Sequence, residues 1–232
     1  MGEQRNTNSG RRRRDERRTQ SNGQKQRRAD GRSQRGNRRD QAVDVPRQVA
    51  LKVLAAVRAD DAYANLLLPK ELRAAKLKGR DAAFATEITY GTLRAQGIID
   101  LILAEASSRP LEDIDGPLLD VLRLGTYQLL RTRVGAHAAV DTSVRAAAAA
   151  GAGGAKGFVN AVLRNVSRKS EQEWIDIVAP SAATDPIGYV ATKHAHPRWI
   201  AEAFAVSLGP AAGDFELFFC QSYASSVARL LM

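Results

Sequence analysis

Few side chains in this 232-residue sequence could carry out covalent or acid–base chemistry, and they do not assemble into a known constellation. The only cysteine, Cys220, sits in Phe218-Phe219-Cys220-Gln221 with no second cysteine to pair with. A thiolate nucleophile needs a base or a cationic neighbour to lower its pKa, so Cys220 reads as a buried or incidental thiol. His194 and His196 could offer two metal ligands, but no further Cys or His completes a set, and no metal site is expected. His137 falls near an expected helix start, where hydrogen bonding within the turn suits it better than proton transfer. The three histidines form no triad with an activated serine. Gly151-Ala152-Gly153-Gly154-Ala155-Lys156-Gly157 invites comparison with a phosphate loop. That motif requires Gly before its Lys and Ser or Thr after it, and a strand in front of it, whereas an alanine-rich helix precedes this run. It reads as an interhelical loop from which Lys156 could still meet a phosphate.

What remains is binding chemistry. Arg47, Lys52, Arg80, Arg94, Arg131, Arg133, Lys156 and Arg164 are the candidate contacts to an RNA backbone, because Arg and Lys supply most protein hydrogen bonds to phosphate. Several of these are expected to be ordinary solvated surface, and Arg94 and Arg164 have acidic neighbours as alternative partners. Tyr90, Tyr127, Trp174 and Trp199 could stack on bases, yet on apolar helix faces Tyr90 and Tyr127 read as core.

Charge is distributed unevenly. Residues 1–40 hold fourteen Lys or Arg, thirteen of them Arg, against five Asp or Glu, so they carry +9 of the formal +10. Residues 41–232 hold 21 basic and 20 acidic side chains. The first forty residues contain no aromatic residue and no Val, Ile or Leu, so burial cannot offset the entropy of ordering them. A disordered tail is expected over 1–42. Each of its arginines that neutralises a phosphate releases a counterion, which favours a polyanionic partner; the alternative is a solubilising extension with no specific partner. No apolar stretch follows the basic residues, as a secretory signal would require, and no run of eighteen apolar residues could span a membrane. With one cysteine, the composition fits a soluble protein in a reducing cytoplasm.

The elements that must position the candidate residues are helices. Asp44 suits an N-cap and Pro46 a first turn, and Val45, Val49, Val53 and Val57 recur every four residues with Ala50 and Leu54 beside them, so a helix is expected over about 45–59. Others are expected over about 63–76, from Asp81 through Phe84, Ile88 and Leu93, and over Ile98–Leu103 after a bend at Gly97. Further helices run from Gly116-Pro117 to about Arg133, over 140–150, over about 156–168, and over 199–208. No stretch of 41–168 alternates with period two, so an all-α bundle of six to eight helices is expected there. Polar residues after Ser167, with Pro180 and Pro186, read as a linker. The expected organisation is thus a tail (1–42), a helical domain (43–170), and a linker with the incomplete start of a second subdomain (171–232).

Four strings carry more than periodicity: Asp81-Ala-Ala-Phe84-Ala-Thr-Glu87-Ile-Thr-Tyr90-Gly91-Thr92-Leu93-Arg94; Leu122-Arg123-Leu124-Gly125-Thr126-Tyr127-Gln128-Leu129-Leu130; His137-Ala-Ala-Val140; and Gly157-Phe158-Val159-Asn160-Ala161-Val162-Leu163-Arg164. In this order and spacing, over about 45–168, they resemble the N-terminal domain of RsmB-type ribosomal RNA cytosine-5 methyltransferases. That domain is related to the antitermination factor NusB, and the resemblance implies an all-helical RNA-binding fold. Arg164 after Asn160-Ala-Val-Leu163 resembles the methyltransferase branch, since stand-alone NusB tends to an acidic residue there. His196-Pro197-Arg198-Trp199 is similar to the beginning of the methyltransferase's middle subdomain, extending the likeness to about residue 208.

The resemblance also implies chemistry that these residues do not provide. The family uses a Gly-rich loop for S-adenosylmethionine and a pair of cysteines, one after Pro, to attack C6 of cytosine and release the adduct. Cys220 lacks both the proline and a partner, so no catalytic or cofactor-binding residue is expected in this chain, and S-adenosylmethionine only in a full-length relative. The expected function is RNA binding, with ribosomal RNA as partner, in a chain cut off before its catalytic domain. The alternative is a stand-alone NusB-like antitermination factor working with a ribosomal protein.

Overall fold

Asp44 opens the first helix as its side chain dictates, accepting a hydrogen bond from the Arg47 backbone N–H at 3.0 Å, with Pro46 in the first turn. The computed structural model describes residues 43–150 and 153–208, which form ten α-helices and no strand. The readings of a disordered tail over 1–42 and of residues 209–232 lie outside the described residues. The helices are α1 (Val45–Asp60), α2 (Ala64–Ala74), α3 (Gly79–Arg94), α4 (Gln96–Ala106), α5 (Gly116–Arg131), α6 (Ala136–Ala149), α7 (Lys156–Val166), α8 (Glu171–Val178), α9 (Pro186–Lys193) and α10 (Arg198–Leu208). No helix among the described residues is long and apolar enough to cross a membrane.

Helix α5 is the centre of the bundle. From Leu118 to Gln128 every residue except Arg123 is buried, and α1, α3, α4, α6 and α7 all pack on it. Such all-round burial is what its dense leucine pattern requires. Two close approaches tie neighbours to α5. A Cβ on Gly91 of α3 would collide with the Tyr127 ring, and one on Gly125 would stand 2.8 Å from a Leu163 methyl and 2.7 Å from the Ser143 hydroxyl. Glycine is therefore required at both places by space. At Gly79, with φ of +53°, it is favoured by the left-handed backbone conformation.

Differences from the sequence reading have local causes. Val45 is 45 % exposed, so the inward face of α1 is Pro46, Val49, Ala50, Val53 and Leu54 rather than the full valine series. The third helix begins at Gly79, which places Asp81 in its first turn instead of at the cap. The polar stretch read as a linker forms α8, opened by a capping box in which Ser170 and Glu173 bond each other's backbone N–H. Trp174 and Ile175 of α8 lie in the main core, and the Trp174 indole N–H donates to the Val166 carbonyl at 3.0 Å. Helices α9 and α10 form a hairpin around a small separate core of Val190, Ala191 and Ala201.

Candidate nucleic-acid interface

The eight basic candidates divide by what their charges already face. Arg47 is 8 % exposed: its Nε donates to Gln128 Oε1 at 2.7 Å, its guanidinium pairs with Asp44, and it lies 4.9 Å from the Phe84 ring centroid. Its hydrogen-bonding capacity serves the interior. Lys52 bonds Glu71 at 2.7 Å although its side chain is 65 % exposed, and Arg131 bonds Glu171 at 2.6 Å. Arg80, Arg94, Arg133, Lys156 and Arg164 are exposed. Of these, Arg94 borders an apolar crevice with Leu93, Ile98, Leu101 and Pro197.

The structure brings Lys156 and Arg164 together on α7. Its buried side is Val159, Val162, Leu163 and Val166. On the outer side Lys156, Asn160, Arg164 and Arg168 recur every four residues, the last just past the helix end. Arg164 and Arg168, with Asn160 and Ser167, form one wall of a cleft of about 510 Å³ whose other wall is the beginning of α6, with His137 and Asp141 above Val140 and Val144. His137, Asn160, Ser167 and Arg168 were absent from the sequence candidates. The signal for two of them was available, since Asn160 and Arg168 lie four and twelve residues after Lys156 in an expected helix. His137, given a turn role on sequence grounds, is exposed and faces the cleft.

The cleft's polar groups are mainly donors. Arg164 Nε donates to Asn160 Oδ1 at 3.1 Å, which ties the two side chains together along the helix. The Ser167 hydroxyl donates to the Arg164 carbonyl at 2.9 Å. Asp141, the one carboxylate in the lining, is paired with Arg145. Gly135, which precedes α6, offers its first-turn amides no side-chain acceptor, so the positive end of the helix dipole faces the same space. From Thr142 to Ser170 the sequence has five basic side chains and no acidic one. Donors, cations and a helix N-terminus converging on one cleft suit a phosphate-bearing ligand. No Phe, Tyr or Trp lines it, and His137 is its one aromatic ring, so the lining offers mainly hydrogen-bonding and charged groups.

Several charges elsewhere are neutralised within the bundle. Arg123 holds Asp100 through two bonds of 2.7 Å, and Arg58 bonds Asp120 at 2.9 Å. Burial pushes the Asp120 carboxyl above its ordinary pKa, against the opposing pull of Arg58 and Arg123. Burial likewise raises the Tyr127 phenol. Neither group opens onto the α6–α7 cleft. Tyr127 and Trp174 are core, Tyr90 is half-buried against the α1–α2 cluster, and Trp199 is 67 % exposed. His194 and His196 lie in the turn after α9, where His196 Nδ1 is 2.7 Å from the His194 carbonyl.

A Mycobacterium tuberculosis protein provisionally designated a methyltransferase is 54 % identical over 182 residues, which is 78 % of this chain and 40 % of the relative. The ribosomal RNA small subunit methyltransferase B of Pseudomonas putida is 35 % identical over 158 residues, 68 % of this chain and 34 % of the relative. The protein of that name from Vibrio vulnificus is 33 % identical over 124 residues, 53 % of this chain and 27 % of the relative. The chain thus spans two-fifths or less of the length of these relatives, in a region corresponding to the NusB-like part of RsmB-type enzymes. The NusB family model matches residues 44–168, from the N-cap of α1 to just beyond α7, and the chain belongs to the NusB family.

Proposed function

We propose that the chain is the RNA-binding domain of an S-adenosylmethionine-dependent ribosomal RNA cytosine-5 methyltransferase, and that it grips RNA through the α6–α7 cleft. The observation that carries this reading is the cleft itself: Asn160, Arg164 and Arg168, beside first-turn amides of α6 that no side chain caps, face an open space whose one carboxylate, Asp141, is paired with Arg145. RNA backbone supplies such acceptors at regular spacing. The relatives' names supply the second support: one is a ribosomal RNA small subunit methyltransferase, and this reading takes small-subunit ribosomal RNA as the partner.

The residues present do not fit the cofactor that this family chemistry requires. The described residues contain no strand from which a glycine loop could lead into a helix, and the given sequence holds one cysteine, Cys220, which does not follow a proline. We therefore derive no methyl-transfer step, and we assign this chain binding and positioning of the substrate.

The test is competition binding. The full chain, bound to a fragment of small-subunit ribosomal RNA, is challenged with unrelated RNA and with duplex DNA of equal length. The reading expects the ribosomal fragment to resist displacement best. Equal displacement by all three competitors would contradict selective RNA binding, and binding that requires an added ribosomal protein would favour the antitermination reading.

A further inference from the structure

Between Ala62 and Arg80 the sequence holds Lys70, Arg73, Lys76, Lys78 and Arg80 against one carboxylate, Glu71, which is buried and bonded to Lys52 at 2.7 Å. All five cations are exposed, and none makes an ion pair or a side-chain hydrogen bond among the described residues. Arg47, Arg58, Arg123 and Arg131, by contrast, each have a carboxylate partner. Helix α2 and the turn after it hold the five in a row. Ala64, Leu68, Leu72 and Ala75 of α2 pack in the apolar cluster around Val49 and Val53. Tyr63 at the N-cap, Leu66, Lys70 and Arg73 follow at i, i+3, i+7 and i+10 and form the outward stripe, about 15 Å long, with Tyr63 75 % and Leu66 71 % exposed. The α2–α3 turn continues it on a fixed backbone. The Lys76 N–H donates to the Arg73 carbonyl and the Leu77 N–H to the Leu72 carbonyl, both at 3.0 Å, and Leu77 packs in the same cluster between the exposed Lys76 and Lys78. Lys76 carries its exposed side chain at a φ of +55°, where glycine is the unstrained residue.

An exposed ring at one end of a row of unpaired cations suits a single-stranded nucleic acid, with a base stacked on the ring and the phosphates following the charges. We propose that this face of α2 is a second RNA contact, which takes an unpaired segment with one base on Tyr63 and its backbone along Lys70, Arg73, Lys76, Lys78 and Arg80. The exposed carboxylates nearby in sequence bound the track at its two ends, Asp60 and Asp61 before Tyr63 and Asp81 after Arg80. An acidic peptide could answer the cations, but a charge on every residue together with a flat ring for Tyr63 is what RNA offers. Helix α2 packs on α1 and α3, these pack on α5, and α6 and α7 are further neighbours of α5. The face is therefore separate from the α6–α7 cleft, and an RNA held at both is fixed in orientation as well as bound. The identity of the ligand rests on the RNA reading; the unpaired charge and the exposed ring do not.

The test titrates the full chain with an unstructured single-stranded RNA over a range of salt. Lys70→Gln/Arg73→Gln/Lys78→Gln removes only exposed, unpaired charges, so its melting temperature should match the wild type. Its binding should weaken, and the slope of log K against log salt should become shallower by about two, because a single strand contributes about 0.7 per neutralised phosphate. Tyr63→Ala should weaken binding about fivefold or more at an unchanged slope, as the loss of a stack requires. Lys76→Gly relieves the left-handed backbone and should melt no lower than the wild type while still losing affinity, which separates binding from folding. A slope change below about half a unit in the triple variant, or an unchanged affinity in Tyr63→Ala, would overturn the proposal. If polyglutamate of equal charge loses as much affinity for the triple variant as RNA does, the face takes acidic proteins and the proposal also fails. Arg164→Gln/Arg168→Gln, measured in parallel, tells the two surfaces apart: a loss there with none in the α2 variants keeps the cleft and removes this face, and the reverse pattern keeps this face and removes the cleft.

Discussion

Arg47 and Arg164 show how little residue type alone says about role. Both were candidate phosphate contacts, but Arg47 is held by Asp44, Gln128 and Phe84 inside the bundle, whereas Arg164 bonds only an amide at the rim of a cleft. The difference was partly legible in sequence. Arg47 lies three and seven residues before Ala50 and Leu54, on the apolar side of α1, while Arg164 stands on the polar side of α7, four residues after Asn160. Which buried group would receive Arg47 was not legible, because Gln128 lies 81 residues away. Arg47→Gln should cost about 2 kcal/mol, since it leaves Gln128 and Asp44 short of a partner. Chemical denaturation measures this, and a change below about 0.5 kcal/mol, typical of surface sites, would contradict the buried role.

At the scale of elements, the strings that carry the family resemblance turn out to be packing partners of one another. Gly91 of the first string makes room for Tyr127 of the second, and Gly125 of the second makes room for Leu163 of the fourth. Their co-occurrence in sequence thus reflects the assembly of α3, α5 and α7 more than RNA contact. Gly125→Ala should destabilise the fold by about 1–3 kcal/mol through overpacking. Gly97→Ala, where no atom lies within 4 Å, should be neutral or stabilising by about 0.5–1 kcal/mol in helix α4. Melting temperatures that fall equally in the two variants would contradict this contrast.

Periodicity revealed the long helices but missed α8 and α9, which are eight residues each and too short to show a pattern. Their caps were nevertheless written in the sequence, as Ser170-x-x-Glu173 and as Asp185 before Pro186. In the hairpin, the Arg198 guanidinium, aided by the Gly188 N–H, holds the Asp185 carboxyl below its ordinary pKa of 3.8. A depressed carboxyl pKa means that the native state binds fewer protons than the unfolded chain. Its stabilisation is therefore present above the unfolded value and is lost as pH falls through the folded one. NMR titration should show Asp185 returning toward 3.8 in Arg198→Gln; an unmoved midpoint would contradict the pairing.

For the whole molecule, net charge is a poor guide to where selectivity lies. Residues 1–40 carry +9 and residues 41–232 only +1, yet within the latter the stretch 142–170 holds five basic side chains and no acidic one. Summing charge over the domain hid that local surplus, because the balancing carboxylates are elsewhere and several, such as Asp100, Asp120 and Glu171, are held in ion pairs. The most direct test is the salt dependence of RNA affinity in the full chain, wild type against Arg164→Gln/Arg168→Gln. If both arginines neutralise phosphates, affinity falls and the slope of log K against log salt becomes shallower by about one per arginine removed. An unchanged affinity and slope in a variant that melts like the wild type would show that RNA does not occupy the α6–α7 cleft.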